Sequence, residues 1–135
     1  MTDKPQKFFM EAPEESEYFF EAAREGKFVI QKCAACGDYQ FYPRKVCIHC
    51  GSIELEWAQA TGRGVVHTFT VIHRGMPGWR EAGPYVAAIV QLEEGPRMTT
   101  NIVECAPSDV KIDMPVEVTF VDEGQYVFPR FRPAR

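Results

Sequence analysis

The sequence predicts a mainly β protein with an N-terminal helix, a rubredoxin-like zinc ribbon and then an OB-fold β-barrel. Three observations predict it. Cys33-Ala34-Ala35-Cys36-Gly37 and Cys47-Ile48-His49-Cys50-Gly51 are two copies of one pattern. One amphipathic stretch precedes them. From Leu55 onward, runs of β-branched and aromatic residues alternate with Gly-containing turns, which is the texture of short strands. The implied division is residues 1–27 as a helical segment, 28–54 as the ribbon, and 55–135 as the barrel with a C-terminal tail.

The helix is expected over Pro13 to Glu25. Pro13 suits a first helical position, and Glu14 and Glu15 complement the positive end of the helix dipole. Phe19, Phe20, Ala22 and Ala23 supply an apolar face flanked by Tyr18, and Gly26 stops the helix. Phe28 to Lys32 reads as a strand entering the first cysteine pair. Leu55 to Ala58 is a further strand, and Thr61-Gly62-Arg63-Gly64 marks a bend or bulge.

Val65 to His73 and Pro84 to Leu92 are longer strands. The second is apolar almost throughout, which predicts burial on both faces. Glu93-Glu94-Gly95-Pro96 turns it into Arg97 to Val103 as a hairpin, with the two glutamates as solvated turn charge. Pro115 to Val121 points Val116, Val118 and Phe120 inward, and Asp122 to Gln125 turns the chain into Tyr126 to Phe128. This set of short strands suits a small barrel better than a sandwich. An OB-type barrel is the choice, with an SH3-like barrel as its competitor.

The chain has 135 residues, of which 45% are apolar, enough for a packed core. It contains no apolar run long enough for a membrane helix, and Met1 to Lys7 lead into no secretory signal. A cytoplasmic protein is the expectation. Fifteen basic against nineteen acidic side chains leave a net charge of -4. That is poor equipment for gripping a phosphate polymer, though a local basic patch can still hold one or two phosphates.

Four of the five cysteines fall in the two tight pairs. Two residues between thiolates let one turn aim both sulfurs at a single ion, and the following Gly can take the positive φ such a turn requires. Two such turns supply four soft ligands, matching tetrahedral zinc. A single iron is the competing ion. Iron would make it a redox centre, whereas a closed four-thiolate zinc site is structural rather than catalytic. His49 reads as a surface residue within the second turn.

Candidates for chemistry are few. Cys105 has no recognisable activating partner, and His67 alternates along a strand as an edge or core residue. No motif joins a nucleophile to a base, so catalysis by this chain alone is not expected. Binding is better served. Arg74-Gly75-Met76-Pro77-Gly78-Trp79-Arg80-Glu81-Ala82-Gly83-Pro84 forms a long loop between two strands, and such loops are often functional. Arg74 and Arg80 flank Trp79, His73 opens the loop, and Phe69 lies on the preceding strand. Guanidinium groups suit phosphates and aromatic faces stack on a purine. The competing reading is a surface loop with one aromatic tucked onto the barrel.

The order helix, Cys-x-x-Cys-Gly, Tyr42-Pro43-Arg44, second Cys-x-x-Cys-Gly, Trp57 and β strands resembles a family of zinc-ribbon/OB-fold proteins, domain of unknown function thirty-five. Gly62-Arg63-Gly64, Pro84-Tyr85-Val86-Ala87, Leu92-Glu93-Glu94-Gly95-Pro96-Arg97, Met114-Pro115-Val116-Glu117-Val118 and Pro129-Arg130-Phe131-Arg132-Pro133 extend the likeness over nearly the whole chain. The resemblance implies a small companion subunit of a thiolase-type enzyme, or of an acyl-CoA retro-aldolase of sterol side-chain breakdown. It implies that the barrel binds coenzyme A or acyl-CoA while a larger thiolase-fold partner in a hetero-oligomer carries the catalysis. The four named cysteines are then the zinc ligands. Phe69, His73, Arg74, Trp79 and Arg80 are the candidate CoA contacts on chemical grounds. The segment from Phe128 to Arg135 is expected to embrace a partner or to be a solvated tail. A single-stranded nucleic-acid-binding module is the rival function, disfavoured by the acidic net charge.

Overall fold

A computed structural model of the chain describes residues 14–73, 83–124 and 126–134. A 3-10 turn, Glu14–Ser16, leads into α1 (Glu17–Arg24). Only the second part of the expected helix is therefore α-helical, and Pro13 lies outside the described residues. Gly26, at φ +76°, carries the chain out of the helix. The strands follow as β1 (Val29–Cys33), β2 (Tyr39–Gln40), β3 (Leu55–Gln59), β4 (Arg63–Ile72), β5 (Tyr85–Leu92), β6 (Arg97–Ile102), β7 (Pro115–Asp122) and β8 (Val127–Pro133).

The first three strands form an antiparallel sheet in the order β2-β1-β3. The other five close into a barrel in the order β4-β5-β6-β8-β7, with β7 returning to β4. All pairings in the barrel are antiparallel except β6 with β8, which run parallel and meet at Ile102 and Phe131. That single parallel seam in a five-stranded Greek-key barrel is OB topology and excludes the SH3-like alternative. Among the described residues no helix is long and apolar enough to cross a membrane.

Three details differ from the sequence reading. The bulge lies at His67, where the β4–β5 register skips from Val66 to Thr68. His67 and Thr68 are consequently both exposed while Val66 is buried. An extra residue in one strand sharpens its bend, which lets β4 pair with β7 at its start and with β5 along its length. Gly62, at φ +80°, supplies the bend before the strand, and a Cβ there would meet Val118 Cγ1 at 2.5 Å.

The second difference is in β5, which is fully buried on one face only. Val86, Ala88, Val90 and Leu92 are buried, while Tyr85, Ala87, Ile89 and Gln91 are half-covered. A barrel wall has one interior, so an apolar run does not by itself mean two covered faces. The third concerns the C-terminal segment. Val127–Pro133 is a barrel strand rather than a tail, and Phe131 is fully buried.

Helix, ribbon and barrel share one core. Phe19 and Ala22 of α1, Phe28, Val29 and Ile30 of the ribbon, and Val66, Val90, Val116 and Phe131 of the barrel belong to the same buried cluster. Aromatic contacts link them: Phe19 to Phe41 at 5.6 Å, Phe28 to Phe41 at 6.3 Å, and Phe28 to Phe131 at 6.0 Å between ring centroids. The ribbon is thus seated on the barrel through apolar packing, which fixes where its metal-binding end points.

Candidate functional site

The first cysteine turn begins where β1 ends. Gly37 N donates to Cys33 O at 2.8 Å, and Cys36 N donates to Cys33 Sγ at 3.5 Å. The second turn repeats the design, with Gly51 N on Cys47 O at 2.9 Å and His49 N on Cys47 Sγ at 3.3 Å. Gly37 and Gly51 both take positive φ, +83° and +79°, so each closes its turn in a conformation that costs other residues about 1–2 kcal/mol.

The four sulfurs all lie within 4.8 Å of one another. Cys33 to Cys50 is 3.6 Å and Cys36 to Cys47 is 3.7 Å. These separations are far too long for a disulfide. They match the edge of a tetrahedron, roughly 3.8 Å, around an ion about 2.3 Å from each sulfur. Cys33 and Cys47 are buried and Cys36 and Cys50 exposed. The His49 imidazole is not part of this cluster.

The thiol chemistry also asks for a cation. The Cys36 backbone amide, aided by neighbouring sulfurs, brings Cys33 down to about 7 against the opposing effect of burial. The Asp38 amide favours the Cys36 thiolate, yet burial and the other three sulfurs outweigh it and push Cys36 up to about 12. Cys50 is also raised: the Ser52 amide pulls it down, but the Cys33 thiol, burial and Cys47 prevail. Four thiolates cannot crowd together unaided. A bound divalent ion reverses this balance and deprotonates them.

Two residues not singled out from the sequence organise the site. Gln31 and Gln40 are only 6% and 3% exposed. Gln31 Oε1 accepts from Gln40 Nε2 at 2.7 Å and from Arg44 N at 2.9 Å, while Gln31 Nε2 donates to Arg44 O at 2.9 Å. Gln40 Oε1 accepts from Ile48 N at 3.0 Å. The pair therefore pins the segment that carries the second cysteine turn. Their only signal in the sequence is an amide in the middle of an apolar strand and another just after the first turn.

Of the candidate ligand contacts, Arg74, Trp79 and Arg80 lie outside the described residues. Phe69 is half-buried on β4 and packs against the core, and His73 is exposed just past the end of that strand. Cys105 is half-buried, and burial followed by the Asp109 charge raises its thiol, as suits an inert residue.

A cleft of about 360 Å³ lies where the ribbon meets the β5–β6 turn. Tyr39, Phe41, Tyr42 and Arg44 form the ribbon wall, and Glu94 and Arg97 the barrel wall. Tyr42 bridges the two, its hydroxyl accepting from Thr99 N at 3.1 Å. Glu94 is not the solvated turn charge expected. It is half-buried, and Oε2 accepts from Thr61 N at 2.8 Å. Oε1 is buried without a hydrogen-bond partner among the described residues.

Comparison with known proteins matches two family models in succession. Residues 20–56 match the ChsH2 rubredoxin-like zinc ribbon domain, and residues 57–121 match the ChsH2 C-terminal OB-fold domain. A DUF35 domain-containing scaffold protein of Pyrococcus furiosus is 31% identical over 125 residues, covering 87% of this chain and 91% of the relative. The probable enoyl-CoA hydratase alpha subunit of Thermomonospora curvata is 40% identical over 118 residues. That alignment covers 87% of this chain but 37% of the longer relative. The benzoylsuccinyl-CoA thiolase subunit BbsA of Geobacter metallireducens is 33% identical, covering 65% of this chain and 58% of its own length. Among solved structures, the Ltp2-ChsH2(DUF35) aldolase supplies a chain that superposes with a TM-score of 0.84 at 37% identity, covering 94% of this chain and all of its own.

Proposed function

The chain belongs to the DUF35 family of ChsH2-type zinc-ribbon/OB-fold proteins, and from that premise we propose that it is the non-catalytic companion subunit of a thiolase-type enzyme acting on CoA thioesters. The observation that supports the proposal is the similarity of this chain to proteins named as subunits of an enoyl-CoA hydratase and a CoA thiolase, and along nearly its whole length to a chain of an aldolase. In this reading residues 28–54 are a metal staple and residues 55–135 present the CoA thioester to a larger thiolase-fold partner in the cytoplasm. Zinc is the resident ion. Cys33, Cys36, Cys47 and Cys50 hold it and occupy all four positions, so it supplies folding energy rather than a reactive site. Phe69, His73, Arg74, Trp79 and Arg80 are proposed contacts for the CoA moiety.

An acyl-CoA aldolase partner is the second reading, favoured by the close superposition on the aldolase's DUF35 chain. Purification from its native source, with mass spectrometry of co-eluting chains, identifies the partner. A thiolase-fold chain in a stable complex, and calorimetric binding of CoA by that complex, are the expected results. A chain that elutes alone, binds no CoA and instead binds single-stranded nucleic acid with a steep salt dependence overturns the proposal.

A further inference from the structure

We infer that the cleft between the ribbon and the β5–β6 turn is a phosphonucleotide subsite, which on the CoA reading above receives the adenosine bisphosphate end of the thioester. Two guanidinium-bearing residues reach it from separate elements, Arg44 from the ribbon and Arg97 from the first position of β6. Neither guanidinium has an ion-pair or hydrogen-bond partner among the described residues. On a chain of net charge -4, two cations without a direct acidic partner face one recess. The planar guanidinium fork matches phosphate oxygens in two-point contacts.

The acids of the wall match the arginines in number but do not pair with them directly. Glu94 turns its carboxylate to the Thr61 amide. Asp38 also lines the cleft, from the ribbon side, so the cleft's two carboxylates equal its two guanidinium groups in number.

The cleft is also preorganised, and this separates it from an ordinary surface dent. Gln31 holds both the N–H and the C=O of Arg44, so the side chain springs from a fixed backbone. Tyr42 is held at its hydroxyl by Thr99 N and at its ring by Phe41, 4.8 Å away edge-on. It remains 47% exposed, leaving ring surface for a base to stack upon. The volume of about 360 Å³ falls within the range of small-molecule sites, roughly 300–1,000 Å³. Fixed cations and a fixed aromatic face spare a ligand the cost of ordering its site.

The test is calorimetry on the full zinc-loaded chain, alone and with its co-purifying subunit, using CoA, adenosine 3′,5′-bisphosphate and pantetheine. Arg44→Gln and Arg97→Gln should each weaken CoA and the bisphosphate by about tenfold, the loss of one charged hydrogen-bond set, and leave pantetheine unchanged. Arg63→Gln, an exposed arginine outside the cleft, should bind as the parent does. Zinc content and the unfolding midpoint verify that each variant is folded. CoA binding that ignores Arg44 and Arg97, or that falls equally in Arg63→Gln, overturns the subsite while sparing the CoA reading. Bisphosphate binding that depends on the two arginines, without CoA binding, upholds the subsite and removes the CoA reading. Silence toward all three ligands, alone and in complex, removes both.

Discussion

Gln40 donates from Nε2 to Gln31 Oε1 across 2.7 Å, and both side chains are buried beside the metal-binding end of the ribbon. Each amide then uses its remaining groups on the loop that leads to Cys47. Such a network stabilises only when its members are all satisfied, because a stranded buried amide pays its full desolvation cost. Gln40→Ala removes the acceptor for Ile48 N and the donor to Gln31. It is expected to lower stability by about 1–3 kcal/mol and to speed zinc loss to a chromogenic chelator. Urea unfolding and a chelator-exchange time course measure the two effects.

The four-sulfur cluster makes a sharper prediction. Cys36→Ser should abolish stoichiometric zinc in elemental analysis and destabilise the ribbon by several kcal/mol, on the order of 3 or more, since metal binding is coupled to folding. The purified parent should be colourless; a red protein would mean iron. Full zinc retention in Cys36→Ser would count against this ligand set.

Phe28 and Phe131 join ribbon to barrel, with ring centroids 6.0 Å apart in an edge-on arrangement. Phe131 is fully buried, so Phe131→Ala should cost about 3–5 kcal/mol. If the two modules share one core, the Phe28→Ala/Phe131→Ala cycle should show a coupling of about 0.5–1.5 kcal/mol. Additive single effects in denaturant melts would mean that the modules are energetically separate.

Gly64 lies where β4 crosses close to β5. A Cβ at that position would come within 2.5 Å of Gln91 O and 2.8 Å of Val90 Cγ1. The first of these is backbone, which cannot swing aside, so Gly64→Ala must part the strands. A loss of about 1–3 kcal/mol is expected, read as a lowered thermal midpoint with unchanged zinc content.

Cys105 should be a slow nucleophile. Burial and the Asp109 charge raise its thiol, so the thiolate fraction at neutral pH is below that of an ordinary cysteine. Iodoacetamide labelling of the zinc-loaded chain, followed by intact-mass spectrometry, should therefore be slow at pH 7.5 and accelerate as the pH passes 9. Rapid single labelling at neutral pH would show an activated thiol.

Much of the architecture was legible because it is written locally. The two cysteine turns each span a few residues, so ligand identity, ligand number and the need for Gly37 and Gly51 follow from spacing alone. Strand texture and turn residues marked the β elements in the same way. The apolar face of the helix was equally plain in Phe19, Ala22 and Ala23.

What local spacing could not reveal depends on register. The bulge at His67 exists because β4 must bend between two partners, not because histidine favours it. Glu94 became a half-buried acceptor when closure of the barrel brought Thr61 to it, and the last strand was hidden because Pro129, Arg130 and Arg132 mask its inward Phe131. The sequence by itself determined a four-thiolate ribbon on a small barrel. Only the tertiary structure decided that Gln31, Arg44, Tyr42 and Arg97 come together, since residues far apart in the chain meet only once pairing has set which side chains face one another.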